Sequence, residues 1–274
     1  LDAARIASAF LVSPAAMSQR LVRAKSKIRA AGIPFHVPAP DEWPERLEFV
    51  MDAIYVACNS GWELMFQSES PDSGLAEEAI WLGRLLARLT PNEAEPLGLL
   101  SLMLHSHARH KARRGKDGGF IPLTRQETRL WSKPMMDEAD ELIRKASALR
   151  SPGRFQLEAA IQSVHAARAA TGCIDWPMIA NFYEALMILT PAIGARIGHA
   201  LARSEIHGPL EGVRCLETLG GKPISEHQPY WAAKAHLLKS AGRFPEASDA
   251  YVKAIGLTQD PAVRAFLISE SSRK

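Results

Sequence analysis

Ser13, Ala16, Gln19, Arg20, Arg23 and Lys27 lie within fifteen residues of one another. Wound into an α-helix, that spacing gathers an amide and three cations on one side, with small residues leading. Gln and Arg can each present two hydrogen-bond donors or acceptors to a base edge, and later Arg and Lys can neutralise phosphates. None of these groups makes or breaks bonds by itself. The chemistry on offer is recognition of a polyanion.

The elements needed to hold such a face are readable around it. Ser13 suits an N-cap, and Pro14 suits the first helical position, where its missing N–H would have no partner anyway. Val12 and Met17 stand at the two positions of a hydrophobic staple. Met17, Leu21, Ala24 and Ile28 form an inward stripe that turns Ala16, Gln19, Arg20, Arg23 and Lys27 outward. Ala3, Ile6, Ala7 and Phe10 share one face of a short preceding helix, so residues 1–31 read as part of a helix–turn–helix. Charge agrees. Residues 1–30 carry Arg5, Arg20, Arg23, Lys25, Lys27 and Arg29 against Asp2 alone, although the whole chain of 274 residues is only +3.

A second group stands apart from this face. Asp117-Gly118-Gly119-Phe120 follows Arg109, Lys111, Arg113, Arg114 and Lys116. Paired glycines permit a turn with positive φ, Asp can accept from its own downstream backbone, and Phe120 is placed to bury itself against another element. His105, His107 and His110 do not share one helical face, and no carboxylate or thiolate completes a metal set with them. Cys58, Cys173 and Cys215 are odd in number and widely spaced, which fits buried, reduced thiols in a cytoplasmic protein. Nucleophile-elbow, zincin, phosphate-loop and dinucleotide-binding motifs are all missing, so neither an enzyme nor a bound cofactor is expected. Nothing suggests a membrane span or a secretory signal.

The rest of the chain reads as helix after helix, and no segment alternates with period two. Residues 32–42 carry too many prolines for a helix and read as a linker. Beyond it, residues 43–154 form a helical region containing the Asp117–Phe120 turn, and residues 155–274 repeat. Trp231, Ala235, Leu238, Gly242, Ala247, Tyr251, Ala254 and Pro261 follow a tetratricopeptide helix pair, with small residues at the close crossing. The frame recurs through Gly212, Leu216 and Leu219 and through Ile179, Tyr183 and Leu186, near the 34-residue period of such repeats. Ala79, Gly83, Leu86 and Pro91 suggest one more unit. The fold class expected is all-α: a partial helix–turn–helix followed by a helical solenoid.

Residues Arg5–Arg29 resemble the second half of region 4 of an extracytoplasmic-function RNA polymerase sigma factor, with Ala16–Lys25 matching its recognition helix. The group resembled carries a C-terminal tetratricopeptide-like extension with a DGGF signature. Ala31–Pro38, Asn59-Ser-Gly-Trp62, Ala79–Leu86, Leu97-Gly-Leu-Leu100, Asp117–Phe120, Phe155–Ile161 and Asp175-Trp176 continue the likeness along the chain. The resemblance implies a parent protein with a promoter-melting region 2 and a complete region 4, neither of which this sequence contains in full. It also implies promoter DNA and core RNA polymerase as partners, and regulation by contact between the extension and the sigma regions. Asp117, Gly118, Gly119 and Phe120 would then be regulatory. Two rival readings stay open on the residues alone: a tetratricopeptide adaptor for a protein or peptide, and a helix–turn–helix activator that is not a sigma factor.

Overall fold

The computed structural model describes residues 3, 6, 7, 12–32, 39, 42–64 and 74–273. Among them the regular structure is helical, as the sequence predicts, and the only extended pairing is an isolated bridge between Arg114 and Phe120. No helix of the described residues is long and apolar enough to cross a membrane. The chain divides into two compact units, residues 1–91 and 92–274. That division falls inside the stretch 43–154, which the sequence alone presents as one helical region. Most of the Pro-rich linker, residues 33–38, 40 and 41, lies outside the described residues, as does Phe10 of the short first helix.

In the first unit, α1 (Pro14–Ala30) starts where its cap chemistry demands. The Ser13 backbone is extended and its Oγ accepts from the Ala16 N–H at 3.2 Å, with Pro14 at the first helical position. α2 (Trp43–Leu64) and α3 (Leu75–Leu89) pack together, and Met51, Ile54 and Cys58 from one and Ala76, Ala79, Ile80 and Gly83 from the other are buried. The inward stripe expected of α1 is only half realised. Met17 is buried and Leu21 half-buried, whereas Ala24 and Ile28 are exposed. An apolar stripe is buried only where another element covers it, and α1 makes no extensive contact with another described helix.

The second unit is built on α4 (Ala94–Ala108), which is buried on every side between α5 (Lys133–Ala148) and α6 (Arg154–Thr171). Its crossing with α6 depends on Gly98: a Cβ there would lie 2.6 Å from the Gln156 amide nitrogen and 2.7 Å from its Cα. Glu95, one turn away, accepts the Phe155 and Gln156 N–H groups at 2.9 Å each and so caps α6. Burial would raise the Glu95 carboxyl and outweighs these two bonds, so its pKa sits above the usual value. The Leu97–Leu100 and Phe155–Ile161 stretches are therefore the two sides of one contact.

From α6 onward the helices pair. α6 joins α7 (Trp176–Leu189), α8 (Ile193–His207) joins α9 (Pro209–Glu217), and α10 (Gln228–Ser240) joins α11 (Phe244–Leu257), with α12 (Pro261–Ser272) packed on the last pair. Asp175 caps α7 by accepting the Met178 N–H at 2.9 Å. Ile179, Gly212 and Ala247 open the second helix of successive pairs at equivalent places, and all three are buried. Ala235, Leu238, Tyr251 and Ala254 are buried in the cluster the repeat pattern demands, and Gly242 turns the chain at φ +75. Ala247→Leu is expected to overpack the α10–α11 crossing and cost about 1–3 kcal/mol in chemical denaturation. A variant as stable as the parent would mean the crossing has room that its burial denies.

Candidate functional site

On α1 the structure brings the expected face together. Gln19, Arg20, Arg23 and Lys27 are all exposed, and the helix holds no carboxylate. Arg23 Nε donates to the Gln19 carbonyl at 3.3 Å, leaving the rest of the guanidinium available. Ser13 and Ala16 belong to the start of this face, but both are engaged in the cap: the Ser13 hydroxyl is spent on the Ala16 amide, and Ala16 is half-buried. The arrangement can offer four polar side chains in a row to an anionic groove.

The Asp117–Phe120 turn is built from its own residues. Gly118 takes φ +77, its N–H donates to the Gly115 carbonyl at 2.9 Å, and the Asp117 carboxylate accepts the Gly119 N–H at 3.0 Å. Gly115 and Gly119 pair at 2.8 Å and Ile121 donates to Arg113 at 2.9 Å, closing a miniature hairpin that leaves Asp117 and Gly118 at the exposed tip. The turn thus does not terminate a helix. It stands alone between short 3-10 turns at His110–Ala112 and Leu123–Arg125.

What the hairpin touches was not legible in advance. Phe120 meets Phe266 of α12 edge to face, with ring centroids 5.4 Å apart. Arg114 bonds Asp260 at 2.5 Å, and Arg125 bonds both carboxylate oxygens of Glu270 at 2.8 and 3.1 Å while its guanidinium lies 5.7 Å from the Phe266 ring. Asp260 also caps α12 through the Ala262 and Val263 amides. Burial pulls its carboxyl upward, but the Arg114 bond and the capped amides outweigh burial and hold it below the usual carboxylate range. Glu270 is held low chiefly by Arg125. Three contacts across some 145 residues therefore fasten the hairpin segment to the last helix.

The segment is also held to α6. Arg168 donates to the carbonyls of Leu123, Thr124 and Gln126 at 3.0, 2.7 and 3.1 Å and lies 5.1 Å above the Trp131 ring. Of the three neighbouring histidines, His105 lies 3.3 Å from Asp140, and His107 stacks on His110. Among the described residues no group of three metal-ligating side chains comes together. Cys58 is buried as expected, but Cys173 is exposed and Cys215 half-buried. Cys173 follows the left-handed Gly172 that ends α6, and this turn projects away from the core.

Residues 46–147, which run from α2 through the hairpin to α5, match a family of unknown function, DUF6596. The chain is 40% identical over 267 residues to an uncharacterized protein of Rhizobium meliloti (strain 1021). That alignment covers 97% of this chain and 63% of the relative, so the chain spans less than two thirds of the length of the protein it matches. No solved structure matches.

Proposed function

We propose that this chain is the DNA-reading and regulatory portion of an extracytoplasmic-function RNA polymerase sigma factor. In this reading α1 is the recognition helix of region 4, seated in the major groove at the upstream, minus-thirty-five promoter element. The observation that carries it is the exposed, carboxylate-free face of Gln19, Arg20, Arg23 and Lys27 on a helix whose start is fixed by the Ser13 cap. Core RNA polymerase and promoter DNA are the partners, and the second unit regulates the sigma regions. The hairpin fastened to α12 is the element through which it does so, with Phe120 as its packed anchor.

The test is run-off transcription by the full-length protein with core polymerase. Promoter-dependent initiation supports the reading, and none at all removes it in favour of an adaptor or an activator that is not a sigma factor. Phe120→Ala and Arg125→Ala loosen the hairpin and should each cost about 1–2 kcal/mol of stability. In thermal melts run alongside transcription, activity should fall well beyond what the melting temperature explains. Activity that merely tracks melting would reduce the turn to scaffolding.

A further inference from the structure

Arg109 closes the C-terminus of α4 with only 5% of its surface exposed. One guanidinium nitrogen donates to Gln162 Oε1 at 2.6 Å, while Nη1 is buried with no hydrogen-bond partner. His165 lies one turn beyond Gln162 on α6, is 9% exposed, meets Trp176 edge to face, and has a buried Nδ1 that also lacks a partner. Arg168 continues the same stripe of α6 and is half-buried.

The charged neighbours that act on Arg109 are two further guanidiniums, Arg113 and Arg168, and those acting on His165 are Arg109 and Arg168. Asp140, the carboxylate bonded to Ser163 beside Gln162, is itself engaged, with His105 and Ser163. Burial, then its two like-charged neighbours, push Arg109 down to about 9, which still leaves it protonated at neutral pH. Burial and the same two arginines push His165 down to about 4, so it is neutral there and one ring nitrogen is free to donate. A buried guanidinium is ordinarily paired, because desolvation is repaid only by an opposite charge with good hydrogen-bond geometry.

We propose that Arg109, His165 and Arg168 form a site for a small tetrahedral oxyanion of the phosphate class, where α4, α6 and the 113–132 segment meet. The anion supplies the missing charge, accepting from Arg109 Nη1 and His165 and drawing on the Arg168 field. The half-buried side formed by Gln162 and Arg168 is the approach from solvent. Because Arg168 also holds the carbonyls of residues 123–126, an occupied site would steady the segment that carries the hairpin. This site does not depend on the sigma-factor reading.

The experiment is calorimetric titration of the phosphate-free chain with inorganic phosphate, with thermal melts in sodium phosphate and in sodium chloride at equal ionic strength. Saturable one-to-one binding is expected, with the melting temperature rising roughly 5 to 10 °C at a hundredfold excess over Kd. Arg109→Met should melt at or above the wild type without phosphate, since it removes a buried uncompensated charge, and should show no phosphate-specific rise. Arg168→Gln should weaken binding tenfold or more. Adenosine monophosphate run in parallel separates the sources: tighter binding than phosphate marks a phosphate ester, weaker binding a free ion, and both support the site. The proposal is overturned if wild type shows no heat and no shift beyond that of chloride. It is equally overturned if binding survives unchanged in both variants, or if Arg109→Met alone melts far below wild type, which would mean the charge already has a partner within the fold.

Discussion

Full-length protein carrying Arg20→Ala together with Arg23→Ala is expected to lose promoter affinity by roughly thirtyfold to ten-thousandfold. Each side chain is worth about 1–3 kcal/mol if it reaches a base edge, and because the two are neighbours one turn apart on the helix the sum of their losses is an upper bound. Both are fully displayed on α1, where no carboxylate competes for them. Lys27→Ala acts differently, since a phosphate contact lowers affinity for every sequence alike and flattens the salt dependence by about one unit of slope. Ser13→Ala should lower affinity only through a frayed helix start, by about 1 kcal/mol, because its hydroxyl is committed to the cap. Fluorescence anisotropy on promoter and scrambled duplexes over a salt series separates the three behaviours. Unchanged promoter binding in the double variant would sink the assignment of this face.

Gly98→Val is expected to cost about 3 kcal/mol or more and to loosen the whole second unit. A Cβ at this position would come within 2.6–3.0 Å of backbone atoms of Phe155 and Gln156, and backbone cannot swing aside as a side-chain tip can. Separating α4 from α6 would also pull Glu95 away from the amides it caps, leaving two N–H groups unpaired beside a half-buried carboxyl. The contrast is Gly256→Ala in α11, where a Cβ meets nothing within 4 Å and helix propensity favours alanine by up to about 1 kcal/mol. Urea denaturation should therefore move the two variants in opposite directions. If Gly98→Val unfolds no earlier than Gly256→Ala, the close crossing is not what holds α4 in place.

Local chemistry was legible without the fold. Ser13-Pro14 marks a helix start because the cap bond spans three residues and proline's missing donor costs nothing there. The turn at Gly118 is legible for the same reason, since the Asp117 bond and the positive φ involve only adjacent residues. The repeat is legible because each helix pair solves the same packing problem, so Ile179, Gly212 and Ala247 recur where two helices approach most closely. Burial depends instead on what arrives from elsewhere. Ile28 has the spacing of a core residue and is exposed, because spacing names a face and only a neighbour can cover it. Arg109 and Arg125 look alike in sequence, yet one is sealed beside α6 and the other is clasped by Glu270. The Asp260-Pro261 pair signals a helix cap, but nothing near it announces Arg114. Those partners lie some 145 residues apart, and no periodicity reaches that far. The sequence by itself determined the helices, their caps, the turn and the repeat, because these are settled by contacts between near neighbours. Only the tertiary structure decided which cations remain open to a polyanion, which are clasped and which is buried uncompensated, because charge pairing is a matter of distance in space.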